Sequence, residues 1–251
     1  MIINFSHILW YLAGVFMLVS LTFLLAKRWR IEIGAIPYIA IARAIVQIGL
    51  IALVLRGVIN FPWIAPAFFA VMLTTATLTS GKHARTLFHG RKAAGLGITV
   101  ASIFTIAAIF LLRLVDFSTQ NLMAMGGIII GGTMTIVTLT ARNFTDRANT
   151  RALEIEGWWA LGATNLTAFD EVRRQSIKEA LTPGLDQTKA TGLVTLPGTF
   201  VGALMGGAAP LAAAQMQIAV LAGQTLSGLI AALIFTEIIC RSPQLPATAS
   251  H

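Results

Sequence analysis

An all-α, polytopic membrane protein with about seven transmembrane helices is the fold class this sequence predicts, and three observations predict it. The 251 residues are 56% hydrophobic and 11% charged, where an ordinary soluble domain carries about 25% charged residues. The apolar residues run in stretches close to the ~20 residues that a bilayer core of about 30 Å requires at ~1.5 Å rise per residue. The 18 basic residues sort onto alternate loops between those stretches, as the positive-inside rule demands. Such a composition excludes a soluble globular enzyme and an extensive disordered tail. The chain reads as a single transmembrane domain over residues 1–251.

Phe5 to Ala26 opens the series. No basic cluster precedes it, and Lys27, Arg28 and Arg30 follow it, so it reads as an uncleaved anchor with the N-terminus outside. Ile33 to Leu55 crosses second and carries Arg43 near mid-membrane, where a charge costs about 2.5–3.5 kcal/mol on insertion scales. Arg43, with Gln47 one turn along, either lines a pathway and meets an anionic or chelated cargo, or is a structural arginine satisfied by carbonyls or a carboxylate. A guanidinium has no lone pair to offer a bare metal ion.

Trp63 to Ser80, Ala93 to Leu112 and Leu122 to Ala141 form the third, fourth and fifth candidates. The sixth, Ala190 to Ala209, repeats glycine at Gly198, Gly202 and Gly206. Every-fourth spacing clears a stripe for another backbone to approach, and Gly127 and Gly131 do the same in the fifth. Pro197 has no N–H to donate and should bend the sixth helix, making it a candidate moving part or a static packing element. The seventh, Leu211 to Ile239, holds Glu237 near its inner end. Glu237 either snorkels to the interface, meeting Lys189, or belongs to a pathway. Gln215, Gln217 and Gln224 either offer oxygens to a cargo or bond between helices.

With the N-terminus outside, 15 basic residues fall inside, only Arg56 and Arg113 fall outside, and the C-terminus is inside. The net charge of +8 therefore has a topological cause, and no nucleic acid is implied as a partner. Cys240 is the single cysteine, so the chain builds no internal disulfide and no cysteine-based zinc site. The histidines (His7, His83, His89 and His251) do not cluster, and the methionines of the spans are spaced as packing residues, so no metal-ligand constellation is visible.

One connection is long. Residues 142–189 lie inside in this topology and hold seven of the ten acidic residues. Ala168 to Leu181 places Phe169, Val172, Ile177, Ala180 and Leu181 on one side and mostly charged residues on the other, with Asp170 and Arg174 paired at i,i+4. This predicts a cytoplasmic amphipathic helix ending near Pro183 and Gly184. Upstream, Trp158 and Trp159 precede a turn at Gly162, and either a partner or the membrane surface must cover them. The helix either lies on the bilayer interface or docks a second protein through apolar anchors.

The spacing of Glu156 and Gly162 within E-x-x-x-A-L-G-A, followed by Ala168-Phe169, resembles the cytoplasmic coupling loop of ABC-transporter membrane subunits. ALGAT at Ala160 to Thr164, SIKEALTPGLDQTKATGLVTLPGTFVGAL at Ser176 to Leu204, GGAAPLAAAQMQ at Gly206 to Gln217 and ARAIVQ at Ala42 to Gln47 are similar to the bacterial iron-export permease family and, more distantly, to plant aluminium-tolerance membrane proteins. The chain departs from that pattern at Met123-Ala124 and Gly131-Gly132, where the family usually has Ile-Pro and Gly-Asn.

The resemblance implies a permease in the bacterial inner membrane, paired with a second, identical permease and coupled to cytoplasmic ATPase subunits. It implies that Glu156, Trp158, Trp159, Gly162, Ala163, Thr164 and Phe169 form the coupling site, and that iron or another metal species is exported. No G-x-x-x-x-G-K-[ST] loop occurs in the chain, so ATP and its Mg are expected on the partner and no cofactor on this subunit. Two other classes compete: an ion-coupled secondary transporter or channel, which usually places carboxylates near mid-membrane, and a noncatalytic scaffold that recruits a cytoplasmic partner.

Overall fold

The computed structural model describes residues 5–246, without the side chains of residues 5–8, 53–60 and 62. His251 and the side chains of His7 and Arg56 lie outside the described residues. The described chain is all-α, and it divides into two compact units, Met1–Pro62 and Trp63–His251.

The first unit is a helical hairpin of α1 (Phe5–Arg28) and α2 (Ile36–Asn60). Arg30 and Gly34 take positive φ in the turn between them. Tyr38 on α2 donates to Ser20 Oγ on α1 at 3.0 Å, and its ring lies 5.8 Å from those of Phe16 and Phe23. Arg43 and Gln47 share one face of α2, and both are exposed.

The second unit contains α3 (Ala65–His83), α4 (Gly90–Leu111), α5 (Thr119–Thr150), α6 (Ala152–Ala160), α7 (Asn165–Ala168), α8 (Asp170–Ala190), α9 (Gly198–Met205) and α10 (Pro210–Ile239). Its core is the packing of α4 and α5 against α10 and of α3 against α4 and α5. Small residues make that packing close. A Cβ on Gly97 of α4 would stand 2.8 Å from the Ala231 carbonyl oxygen of α10, and one on Gly126 of α5 would overlap the Phe69 ring of α3 at 2.1 Å. Hydroxyls join the same helices. Ser80 on α3 donates to the Met134 carbonyl at 3.0 Å, and Thr133 on α5 shares a hydrogen bond with Ser227 on α10.

Among the described residues four helices are long and apolar enough to cross a bilayer: Leu9–Arg28, Gly90–Leu111, Thr119–Thr150 and Pro210–Ile239. In α2 the fully described stretch Ile36–Ala52 is apolar as well. The sixth candidate requires a correction, because residues 190–209 are not one helix. The chain leaves α8 at Ala190, turns through Gly192 at φ 90°, and restarts at Gly198 for only eight residues. Eight residues rise about 12 Å, too short to cross alone. Pro197 therefore marks a complete break and not a bend: it sits extended as the N-cap of α9. Val194 and Thr195 donate their N–H groups to the Ala190 carbonyl, which closes the turn without a continuous helix.

The amphipathic helix is also longer than expected. Pro183 lies inside α8, which runs on to Ala190. One proline removes one backbone donor, and packing on α5 and α10 holds the rest in place. On α5, Arg147 bonds Gln175 and Glu179 of α8. Further along, Leu181 lies against Gly228 of α10, and Gln187 and Thr188 share a cavity with Gly132 and Thr135 of α5. Hence α8 runs antiparallel to α5, and its last turns lie level with the middle of α5 and α10. Helix α5 in turn continues nine residues past Ala141 to Thr150, because Phe144 and Ala148 are buried in the core beyond the apolar run.

Of the glycines in the two stripes, Gly127 meets a neighbouring helix, its Cβ position lying 3.5 Å from Met72 Cε of α3. Among the described residues no atom comes within 4 Å of a Cβ at Gly131, Gly198 or Gly202, whereas Gly97, Gly126, Gly132, Gly223 and Gly228 meet neighbouring helices more tightly.

Candidate functional site

At the end of the second unit where α5 and α10 finish, the chain folds into a short helical cap. Helix α6 ends in a Schellman motif: the Gly162 N–H bonds the Trp159 carbonyl at 2.9 Å and the Ala163 N–H bonds that of Trp158 at 3.0 Å. That closure requires the left-handed φ of 82° that Gly162 adopts. Thr164 then caps α7, its hydroxyl accepting from the Thr167 N–H at 3.3 Å.

Phe169 anchors the cap. It is fully buried between Phe144 of α5, 5.5 Å away by ring centroid, and Trp159 of α6, 5.7 Å away edge to face. The two tryptophans therefore part company. Trp159 is covered by the chain itself, its indole N–H buried without a partner among the described residues. Trp158 stays 45% exposed, with Leu153 and Leu161 at 85% and 83%. Glu156 is exposed on the same short helix and makes no ion pair among the described residues.

An ionic lattice surrounds the cap. Asp170 accepts from Arg173 at 2.8 Å and from Arg174 at 2.6 Å. Arg173 reaches Glu237 of α10 at 3.3 Å, and Glu237 also meets Arg241 at 3.4 Å. Arg151 joins Glu154 at 2.8 Å and Glu171 at 3.9 Å. Glu237 thus ties α10 to the cap and does not meet Lys189, whose partner is Asp186 at 3.0 Å. An open groove of about 630 Å³ runs along this face, lined by Arg151, Glu154, Trp158, Leu166 and Glu171 among others.

Basic residues concentrate at this end of the unit, where Arg142 Nη2 lies 3.3 Å from both ring nitrogens of His83. Burial and then the Arg142 charge hold the His83 imidazole below its ordinary pKa. Cys240, at the foot of α10, is buried and its thiol is pushed up to about 12 by desolvation. Among the described residues no group of three or more His, Cys, Asp or Glu side chains could hold a metal ion.

The glutamines separate. Gln215 is exposed, Gln217 is buried with its Oε1 unpaired among the described residues, and Gln224 lies against Gly132 in a cavity of about 290 Å³ between α5, α8 and α10. That cavity also takes in Thr135, Gln187, Thr188 and Thr225, none of which the sequence reading had singled out. Its signal was present but faint: Thr135 and the Gln224-Thr225 pair fall at the midpoints of two otherwise apolar helices.

Residues 9–243 match the family described as Uncharacterised protein family (UPF0014). The chain belongs to this family. Its relatives include the UPF0014 membrane protein STAR2 of Oryza sativa subsp. japonica, 34% identical over 83% of this chain and 73% of that protein. Protein ALUMINUM SENSITIVE 3 of Arabidopsis thaliana is 30% identical, over 83% of this chain and 77% of that protein. The Probable iron export permease protein FetB of Escherichia coli is 27% identical, over 83% of this chain and 82% of that protein. No solved structure matches the chain. The resemblance read from the GLVTLPG and ALGAT segments is therefore borne out, and this UPF0014 protein is a permease-like membrane protein with several apolar helices.

Proposed function

We propose that this UPF0014 chain is the membrane-spanning subunit of an ABC transporter that exports a metal ion from a bacterial cell through its plasma membrane. The observation that carries the transport reading is the exposed face of α8. Arg174, Lys178, Thr182 and Asp186 recur every fourth residue along it, and Lys189 closes the stripe. Its far end lies level with the midpoints of α5 and α10. Asp186 and Lys189 are costly to turn to lipid at that depth even as an ion pair, so the stripe faces a water-filled passage, built with a second copy of the chain. A scaffold has no use for such a face. The metal cargo rests on the name of the relative FetB, an iron export permease.

In this reading the chain crosses seven times with the N-terminus outside. The sixth pass is the interrupted helix formed by α8, the break and α9, as in transporters that bind cargo at broken helices. The basic end faces the cytoplasm. There Glu156, Trp158 and Leu161 of the cap form the handle that an ATPase subunit grips, while ATP and Mg stay on that partner. Closure of the ATPases moves the cap, and Phe169 and the Arg173–Glu237 bridge pass the movement to α5 and α10. ATP drives the cycle only if its binding favours one arrangement of the permease pair over the other.

The test is co-reconstitution with the ATPase subunit that copurifies with the chain, followed by nucleotide-dependent metal flux in vesicles. ATP-dependent flux that is lost in Glu156→Arg, with membrane insertion intact, supports the reading. Flux by the chain alone, or full coupled flux in that variant, overturns it.

A further inference from the structure

The basic end of the second unit has two halves with opposite charge balance. Around the cap the arginines are matched: Arg147 meets Glu179, Arg151 meets Glu154, Arg173 and Arg174 meet Asp170, and Arg241 meets Glu237. At the corner where α3 ends and α4 begins, Lys82, Arg85, Arg91 and Lys92 are exposed, as is Arg142 on α5. None of these five makes an ion pair among the described residues. The chain contains no carboxylate between Glu32 and Asp116, and Asp146, one turn beyond Arg142, forms no ion pair among the described residues either. Backbone packing nevertheless draws the cations together. A Cβ on Gly90 would overlap the Ala84 carbonyl oxygen, so the turn folds back tightly and Arg85 and Arg91 leave neighbouring points of the chain. The Arg91 side chain lies along α3, its Cγ 3.3 Å from a Cβ at Gly81, next to Lys82. Arg142 comes in from α5 and rests on His83, 3.3 Å from both ring nitrogens. Cations from three helices converge here, and an anion among them relieves their mutual repulsion.

The adjoining surface says which anion. Helix α4 is long and apolar enough to cross a bilayer, and α3 packs along it, with Thr77 Cγ2 2.9 Å from a Cβ at Gly95. Leu78, one turn from Lys82 on the same face of α3, is exposed. On α4 the exposed Leu96 and Val100 follow Lys92 at the same spacing. Each helix therefore presents a cation at its end and apolar side chains from the next turn inward, which is the profile of a headgroup joined to an acyl chain. An acidic protein or a free phosphate would meet the charges and leave Leu78 and Leu96 uncovered. The planar forks of Arg85, Arg91 and Arg142 match phosphate oxygens two at a time.

We propose that the α3–α4 corner binds an anionic phospholipid, its phosphodiester held by Arg85, Arg91 and Arg142 with Lys82 and Lys92, and its acyl chains lying on Leu78 and Leu96. Basic pockets at the ends of membrane-crossing helices recognise anionic headgroups through the same chemistry. Such a lipid fastens three helix ends that the chain's own charges push apart. Its binding requires neither an ATPase nor a cargo, so the site stands apart from the transport reading.

The experiment titrates the purified full-length chain in detergent with phosphatidylglycerol and reads retained lipid by native mass spectrometry. Phosphatidylcholine with the same acyl chains is the zwitterionic comparison, and glycerol 3-phosphate is the headgroup without chains. Phosphatidylglycerol should be retained in preference to both. Arg91→Gln and Lys92→Gln should each weaken it by about fivefold, the factor that one basic side chain supplies at an anionic surface. Leu96→Ser, at an exposed position, should weaken it as well. Lys27→Gln and Arg28→Gln remove the same charges from exposed positions of the first unit and should bind as wild type. Equal retention of phosphatidylcholine, equal affinity for glycerol 3-phosphate, or unchanged affinity in both Arg91→Gln and Lys92→Gln overturns the site. An equal loss in the first-unit variants also overturns it, by revealing a diffuse attraction to basic residues. So does loss of a copurifying protein from Arg91→Gln with lipid retention unchanged, which marks a protein-docking surface instead.

Discussion

Replacing Phe169 by alanine is the sharpest probe of how the cytoplasmic cap is held to the bundle. The ring is fully buried and touches Phe144 on one side and Trp159 on the other, at centroid distances of 5.5 and 5.7 Å. Truncation of a buried phenylalanine typically costs about 3–5 kcal/mol, the upper end applying where surrounding groups cannot collapse into the space. Each aromatic pair adds about 0.5–1.5 kcal/mol beyond buried area, and both pairs are lost together. Local protection of the cap is smaller than global stability, so a loss of this size should open α6 and α7 while α4, α5 and α10 remain packed. Hydrogen exchange read by mass spectrometry is the assay. Peptides covering Ala152–Ala160 and Asn165–Ala168 should exchange faster by at least about a hundredfold, the equivalent of ~3 kcal/mol, with Gly90–Leu111 unchanged. Phe169→Leu keeps most of the volume and should fall between. Wild-type exchange in the cap of Phe169→Ala would refute the idea that this residue fastens it.

Three further outcomes follow from the same contacts. Gly97→Ala places a methyl 2.8 Å from the Ala231 carbonyl oxygen and should cost about 1–3 kcal/mol by overpacking, lowering the melting temperature in detergent, whereas Gly202→Ala, with nothing within 4 Å, should not destabilise the isolated chain. The lowered pKa of His83 means the unfolded chain binds its proton more readily. Its contribution to stability is present above pH ~6.5 and lost as pH falls through the depressed value, so wild type should lose more stability than His83→Gln when thermal melts are compared at pH 7 and pH 5. Cys240, buried with its thiol near 12, should resist maleimide at neutral pH in the folded protein and react once denatured, because the thiolate is the reacting species.

Composition and periodicity alone were enough to read an all-α membrane protein, and motif spacing was enough to read its family. Both rest on local or additive properties: apolar run length against bilayer thickness, and residue identities at fixed separations. The Gly162 turn was legible for the same reason, since a glycine closing a helix is a short-range signal. Helix continuity was not. A proline inside a polar helix and a proline ahead of a glycine stripe look alike in one dimension, yet Pro183 lies within α8 and Pro197 begins a new helix. The difference is set by what each segment packs against.

Partnerships across long separations belonged to the tertiary structure. Glu237 meets Arg173 and not Lys189 because α8 begins where α10 ends. Trp159 turns inward while Trp158 stays out because Phe169 waits on one side only. Five polar residues far apart in the chain, Thr135, Gln187, Thr188, Gln224 and Thr225, came to line one cavity only when α8 laid itself along α5 and α10. The sequence by itself settles how much of this protein must leave water, because burial in a bilayer is a sum over residues. Which side chains then meet is a property of how helices stack, and that is decided by the shapes of surfaces brought together from distant parts of the chain.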